Sequence, residues 1–90
     1  MTVKEYLESG LLTALTKFYE DDEYGLDFAG VRVEEDSDGG FKTTVFAEED
    51  YEGLEKLCNL LNPVVQRVDE DSYFEPECPG RASAWVRVHK

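Results

Sequence analysis

The residues best suited to nucleophilic or redox chemistry are Cys58, Cys78 and His89. Cys58 falls on an apolar helical stripe, where a small buried side chain is expected, and Cys78 lies in a predicted proline-flanked turn. Their separation fits neither a Cys-x-x-Cys redox pair nor a four-ligand zinc site. His89 is next to the last residue, where terminal fraying makes a poorly positioned base. We therefore expect no catalytic residue, and two free thiols because cytosolic chains seldom keep disulfides.

Metal and nucleotide sites are the next candidates. Glu34, Asp36, Asp38 and Gly39 resemble the start of a calcium-binding EF-hand loop, which places oxygen ligands at alternate positions. Val45, however, stands at the twelfth position, which requires a bidentate glutamate, and the residues after the loop have strand periodicity. The glycines of this segment also lack the lysine and helix of a phosphate-binding loop. The sequence predicts no metal and no cofactor.

The remaining feature is an excess of acid: 21 Asp and Glu oppose 9 Lys and Arg, which leaves a formal charge of -12. This charge disfavours direct binding to nucleic acid or to an anionic membrane, and it favours a basic protein surface as partner. The acids gather in four clusters at predicted element boundaries. These clusters, numbered in chain order, are Glu20, Asp21, Asp22 and Glu23; Glu34, Glu35, Asp36 and Asp38; Glu48, Glu49 and Asp50; and Asp69, Glu70 and Asp71.

The first and second clusters are the best candidates for partner binding. The first follows a predicted helix, where negative charge opposes the helix dipole, so a role other than helix stability is indicated. The second fills a predicted hairpin loop that should project from the sheet. The alternative is that the acidity serves only solubility.

In size and charge pattern the chain resembles compact acidic phage or plasmid proteins that inhibit host nucleic-acid-binding machinery, a class that includes DNA mimics and many anti-CRISPR proteins. The resemblance covers the whole chain in composition only, and no residue role transfers with it. It implies a non-enzymatic inhibitor that blocks the basic nucleic-acid channel of a defence complex. The alternative is an immunity or antitoxin protein that masks a basic nuclease toxin. An enzyme of unknown type and a structural protein that needs only solubility are further alternatives, and an enzyme would differ from a binding protein by a deep pocket with convergent polar groups.

Two helices are predicted from apolar residues at three- and four-residue spacing. The first spans Val3–Tyr19 and begins with a capping box in which Thr2 and Glu5 satisfy each other's backbone amides. Gly10 weakens its middle. The second spans Glu48–Leu61 and should stop there, because Asn62 suits a C-terminal cap and Pro63 cannot continue the hydrogen-bond ladder.

Four strands are predicted from period-two alternation. The first begins at Leu26 and Phe28, with a bulge at Ala29–Gly30 where the alternation changes phase. The second includes Phe41, Thr43 and Val45. The third runs from Val64 to Phe74 with an interruption at the fourth cluster, and it is followed by a turn at Pro76, Pro79 and Gly80. The last contains Ala82, Ala84, Val86 and Val88 on one face and Trp85 on the other.

The resulting order is α-β-β-α-β-β. Short connections favour a mainly antiparallel four-stranded sheet with both helices on one face, which is a two-layer α+β sandwich. At 90 residues and 10.3 kDa the chain has enough surface for one core, so residues 1–90 are expected to form a single domain. No segment is suited to span a membrane or to act as a signal peptide, and we expect a cytoplasmic protein.

Trp85 has two interpretations. The favoured one places its ring in the core. The alternative places it on the open face of the sheet, where an aromatic ring with a polar handle is a common partner contact.

Overall fold

The first helix, α1, begins at the capping box that the sequence predicts. In the computed structural model, which describes residues 1–88 apart from the Glu23 side chain, α1 spans Val3–Phe18 with Thr2 as N-cap and Tyr19 as C-cap. The Glu5 amide donates to Thr2 Oγ1 at 3.1 Å, and the Thr2 amide donates to Glu5 at 3.3 Å. The predicted helix is thus confirmed to within one residue. His89 lies outside the described residues.

Gly10 is a contact point between helices, and α1 runs through it without a break. A Cβ atom placed on Gly10 would lie 2.7 Å from Cγ1 of Val64, closer than carbon atoms can approach. The glycine therefore costs α1 some intrinsic propensity and allows the helix that carries Val64 to pack closely.

A short helix, α2, spans Glu23–Asp27, where the sequence predicts the start of a strand. Asp22 caps it by accepting a hydrogen bond of 3.2 Å from the Gly25 amide. The predicted strand start at Leu26 and Phe28, and the bulge at Ala29–Gly30, are therefore wrong. The Asp22 cap favours a helical turn here, and this preference is stronger than the preference for a strand that the alternation of Leu26 and Phe28 indicates.

Strands β1, Gly30–Glu35, and β2, Phe41–Phe46, form the predicted antiparallel hairpin, with Gly30 opposite Phe46 and Glu35 opposite Phe41. The chain turns through residues 36–40. Gly39 has φ of +87°, in the left-handed region that glycine occupies at low cost.

Helix α3 spans Tyr51–Gln66, so the predicted stop at Asn62 and Pro63 is wrong. Pro63 lies inside the helix and is exposed. The apolar stripe continues beyond it to Val65, which is fully buried, and this packing outweighs the missing backbone donor. The side-chain oxygen of Asn62 accepts instead from the Phe74 amide at 2.6 Å, and so it fixes the chain that leaves the helix.

Strands β3, Glu75–Cys78, and β4, Arg81–Val86, form the second hairpin. The third strand thus starts later than predicted, because Val64 and Val65 are helical and residues 67–74 form turns and an extended connection. Pro76 and Cys78 belong to β3 instead of a turn. The register of the β3–β4 pairing shifts between Pro76 and Cys78. The irregularity of the sheet therefore lies in β3, and not at Gly30, where the sequence predicts a bulge.

The four strands lie in the order β1-β2-β4-β3, all antiparallel. Helix α1 packs over β1 and β2, and α3 packs over β3 and β4. Alternate strand residues enclosed by the helices, such as Val33, Val45 and Val86, form one core with the leucines of both helices. The predicted α+β fold, with helices packed on a four-stranded antiparallel sheet, is confirmed.

Candidate functional site

The four acidic clusters lie at two opposite ends of the helical layer. The C-terminus of α1 meets the N-terminus of α3, because Tyr19 bonds to Glu49. The N-terminus of α1 lies beside the β1–β2 turn, where Thr2, Lys4 and Asp38 line one depression. These ends are separated by the length of α1, about 24 Å for 16 residues. The first and second clusters, the best candidates from sequence, therefore do not share an end.

The first and third clusters meet around Tyr19, and we call this region the Tyr19 end. The Tyr19 hydroxyl donates to Glu49 Oε1 at 3.0 Å, while its ring is buried with 5% exposure. Burial, the Glu49 hydrogen bond and the negative charges of Glu49, Asp22 and Glu48 raise the pKa of Tyr19 above its ordinary value. A neutral phenol thus joins two acidic segments that are distant in sequence.

Two of the acids at the Tyr19 end are helix N-caps. Asp22 caps α2, and Asp50 caps α3 by accepting from the Gly53 amide at 2.9 Å. Helix α3 begins at Tyr51, so Glu48 and Glu49 precede it instead of opening it. The dipole argument for the first cluster is also revised, because Asp22 stabilises the helix that follows it.

Among the side chains that the structure describes, the carboxylates of the Tyr19 end make no ion pair with a Lys or Arg. Glu20, Asp21 and Glu48 are exposed to solvent, and the Asp22, Glu49 and Asp50 side chains accept hydrogen bonds from the chain itself. Lys17 is the basic residue of the last turn of α1 and lines a depression with Glu20, but it forms no ion pair with a described carboxylate there. The excess negative charge at this end attracts cations, and the hydrogen bonds of Asp22, Glu49 and Asp50 hold part of it in place.

The second cluster is divided between the sheet and the turn at the opposite end. Glu34 pairs with Arg32 at 3.4 Å, and Glu35 ends β1. Asp36 accepts from the Ser37 amide at 2.8 Å and so stabilises the turn, while Asp38 is exposed. The cluster thus does not form one projecting acidic loop as the sequence predicts.

The fourth cluster lies near the second and contains a structural carboxylate. Asp69 is buried and accepts from the Arg87 amide at 3.0 Å and from the Asp71 amide at 3.2 Å, so it ties the chain after α3 to the end of β4. Glu70 and Asp71 are exposed. Only these two present charge to solvent, and they follow a helix instead of interrupting a strand.

Trp85 lies on the sheet face opposite the helices, and its side chain is 57% exposed. The core interpretation is wrong: Ala84 and Val86 point into the core, and Trp85 points outward between them. Lys42, its partner on β2, places its ammonium 6.0 Å from the ring centroid. The same face carries Arg32 over the Phe46 ring at 6.0 Å.

Neither cysteine is bonded to the other. Cys58 is buried on α3 as predicted, and burial together with the Glu55 charge raises the pKa of its thiol to about 11. Cys78 is half-buried in β3. Within residues 1–88, the Glu23 side chain apart, no cluster of three or more His, Cys, Asp or Glu side chains is arranged to hold a metal ion. Across the same residues, no helix has the length and apolar character needed to span a bilayer.

Comparison with models of protein families, with curated proteins and with solved structures found no match to this chain. Sequence reasoning missed Tyr19, which joins the first and third clusters. The apolar spacing of α1 extends from Leu15 to Tyr19 and signals burial of the ring, but nothing local to Tyr19 indicates Glu49 as its partner.

Proposed function

We propose that this protein is a non-enzymatic binding protein whose Tyr19 end attaches to a basic surface of another protein. The observation that carries the proposal is the meeting of two acidic clusters around Tyr19, whose described carboxylates form no ion pair with a Lys or Arg. A basic partner would neutralise this charge.

The Tyr19 end is suited to binding because much of it is already ordered. The N-cap bonds of Asp22 and Asp50 and the bond between Tyr19 and Glu49 fix its base, so less side-chain freedom is lost on association. The exposed carboxylates of Glu20, Asp21 and Glu48 are left to accept hydrogen bonds from arginine or lysine, which are stronger than neutral ones. The net charge of -12 would also accelerate encounter with a basic partner.

The partner class follows from the same charge. Extended basic surfaces are typical of proteins that bind nucleic acid, and an acidic protein seated there excludes the nucleic acid. The proposal is therefore an inhibitor of a nucleic-acid-binding complex, acting in the cytoplasm, in keeping with the resemblance to anti-CRISPR and DNA-mimic proteins. The alternative is an immunity protein that masks a basic nuclease toxin, for which the same electrostatic attraction would serve.

The test compares two variants that remove equal charge from opposite ends. Glu20→Gln, Asp21→Asn and Glu48→Gln remove three exposed charges from the Tyr19 end and leave both N-caps unchanged. Glu35→Gln, Asp38→Asn and Glu70→Gln make the same chemical changes at exposed positions of the other end. A partner captured from a prokaryotic lysate is purified, and its affinity for each protein is measured across a salt series. Its own nucleic-acid binding or nuclease activity is assayed with and without this protein.

We expect the Tyr19-end variant to lose affinity and the opposite variant to retain it. Added salt should weaken binding of the unmodified protein as the screening length falls from about 10 Å at 0.1 M to about 3 Å at 1 M. Salt-independent binding, or equal losses in both variants, would refute the Tyr19 end as the interface. Inhibition of nucleic-acid binding supports the first candidate, and suppression of a toxic nuclease supports the alternative.

A further inference from the structure

The outer face of the sheet contains a groove beside Trp85, which we call the Trp85 groove. It lies between β4, β3 and the segment that leads into β3. No residue of the Tyr19 end lines it. The residues used in the argument are Asp71, Tyr73, Glu75, Pro76, Glu77 and Trp85.

Two aromatic rings form the apolar part of the groove. Trp85 is 57% exposed and Tyr73 is 56% exposed, although large aromatic side chains usually bury most of their surface. The Lys42 ammonium lies 6.0 Å from the Trp85 centroid, at the outer limit of the distance over which a ring attracts a cation. The groove thus presents π faces of the kind that bind cationic groups.

The polar part of the groove is acidic. Asp71 and Glu75 are exposed, and the neighbouring Glu75 carboxylate raises the pKa of Tyr73 above its ordinary value. Glu77 is already committed, since it accepts from Ser83 and pairs with Arg81 at 2.8 Å. No Lys or Arg is among the described residues that line the groove. Asp71 and Glu75 are therefore the carboxylates that remain for an outside cation.

The walls of the groove are fixed by hydrogen bonds. Ser72 is buried, and its hydroxyl donates to the Trp85 carbonyl at 2.7 Å. The Phe74 amide donates to Asn62 at 2.6 Å, which ties the residue after Tyr73 to α3. The two aromatic residues are thus attached through their neighbours to the rigid body of the molecule, and little ordering is needed on binding.

We infer that the Trp85 groove binds an extended, arginine-containing segment of a partner protein. A planar guanidinium stacks on Trp85 or Tyr73 and donates to Asp71 or Glu75, a combination that a lysine ammonium matches less well. The segment lies across the face instead of adding a strand to β3. Pro76 has no amide to donate, and the register shift beside it disrupts that edge. The inference is independent of the Tyr19 end.

Trp85 is the single tryptophan of the chain, so its fluorescence reports directly on the groove. The probe is a capped peptide of alternating arginine and glycine, titrated into the full chain at physiological salt. The matched peptide carries citrulline, which has nearly the same shape as arginine but no charge. We expect a saturable change in emission with the arginine peptide and none with the citrulline peptide.

Two variants with identical chemical changes separate the groove from the overall negative charge. Asp71→Asn with Glu75→Gln removes the two uncommitted carboxylates of the groove, and Asp27→Asn with Glu55→Gln removes two exposed carboxylates that belong to neither the Trp85 groove nor the Tyr19 end. We expect the groove variant to bind the arginine peptide about tenfold more weakly, equivalent to about 1.4 kcal/mol. The control variant, Asp27→Asn with Glu55→Gln, should change the affinity less than about twofold. Circular dichroism checks that both variants are folded.

Equal weakening in the two variants would show that the peptide responds only to net charge, and it would overturn the inference. Binding of the citrulline peptide with the same affinity, or no saturable emission change, would do so as well. Failure of this test leaves the proposed function intact, since that proposal is measured with the partner and with variants that leave Asp71 and Glu75 unchanged.

Discussion

The hydroxyl oxygen of Tyr19 lies 3.0 Å from Oε1 of Glu49, a residue 30 positions further along the chain. The bond joins the end of α1 to the start of α3. A Cβ atom on Gly25 would lie only 2.5 Å from Cε1 of the same ring, so α2 also packs against Tyr19. One side chain therefore holds together the three helix termini at this end.

Tyr19→Phe should lower the free energy of unfolding by about 1 to 2 kcal/mol, because it removes a hydrogen bond to a charged acceptor and keeps the ring. Urea denaturation at neutral pH measures the loss. Glu49→Gln, which retains an acceptor, should cost less than Tyr19→Phe. A Tyr19→Phe protein as stable as the parent would mean that water replaces the bond without loss.

The raised pKa of Tyr19 predicts a dependence of stability on pH. The folded state favours the neutral phenol, so its contribution is present below the ordinary tyrosine pKa of about 10 and declines as pH rises above it. The difference in unfolding free energy between the parent and Tyr19→Phe isolates this contribution from other titrating groups. That difference should shrink with rising alkalinity, and a constant difference would contradict the prediction.

Gly10→Ala tests the close approach of α1 and α3. The new methyl group would improve helix propensity by about 1 kcal/mol, yet it would meet Cγ1 of Val64, a clash that costs about 1 to 3 kcal/mol. We expect net destabilisation by about 1 kcal/mol in thermal or urea unfolding. In the Val64→Ala background, where the obstructing methyl is absent, the same substitution should become neutral or stabilising. An identical effect in both backgrounds would show that Gly10 has another role.

Asp69 and Glu70 should contribute very different amounts to stability, although they are adjacent acids. Asp69→Ala leaves the Arg87 amide without its buried acceptor and should cost about 2 kcal/mol of stability. Glu70→Gln changes an exposed side chain and should cost less than about 0.5 kcal/mol. Chemical denaturation of both variants measures the contrast. Equal costs would show that burial does not distinguish these acids.

Elements with local signals were predictable from sequence. The capping box and apolar spacing of α1 fixed its limits, and the alternation of Phe41, Thr43 and Val45 identified β2. The end of α3 was not predictable, because the preference of Pro63 is local while the burial of Val65 depends on the sheet. Competition between a local signal and tertiary packing is decided only by the folded structure.

Pro63→Ala measures that competition. The proline removes a backbone donor within α3 and is exposed, so replacing it restores a helical bond without opening a cavity. Part of the gain is offset, because alanine leaves the unfolded chain freer. We expect net stabilisation by about 1 kcal/mol in urea unfolding. Destabilisation would show that α3 needs the bend or rigidity that Pro63 supplies.

The grouping of the acids could not be deduced from sequence for a different reason. Charge clusters carry no signal of their neighbours in space, and only the antiparallel packing of α1 and α3 brings Asp22 near Glu49. The structural role of Asp69 could not be predicted either, because this carboxylate accepts from the Arg87 amide, 18 residues away in sequence. Trp85 was misjudged because strand alternation separates two faces without saying which one the helices cover.

The edges of the sheet determine how this protein behaves at high concentration. An unpaired edge strand is a template on which other copies can assemble into aggregates, and this sheet has two such edges, β1 and β3. Strand β3 is short, contains Pro76 and loses its register at Cys78. Strand β1 ends in the exposed carboxylates of Glu34 and Glu35. Edge-to-edge growth is therefore opposed on both sides, which favours dispersed molecules while the outer sheet face stays open to solvent.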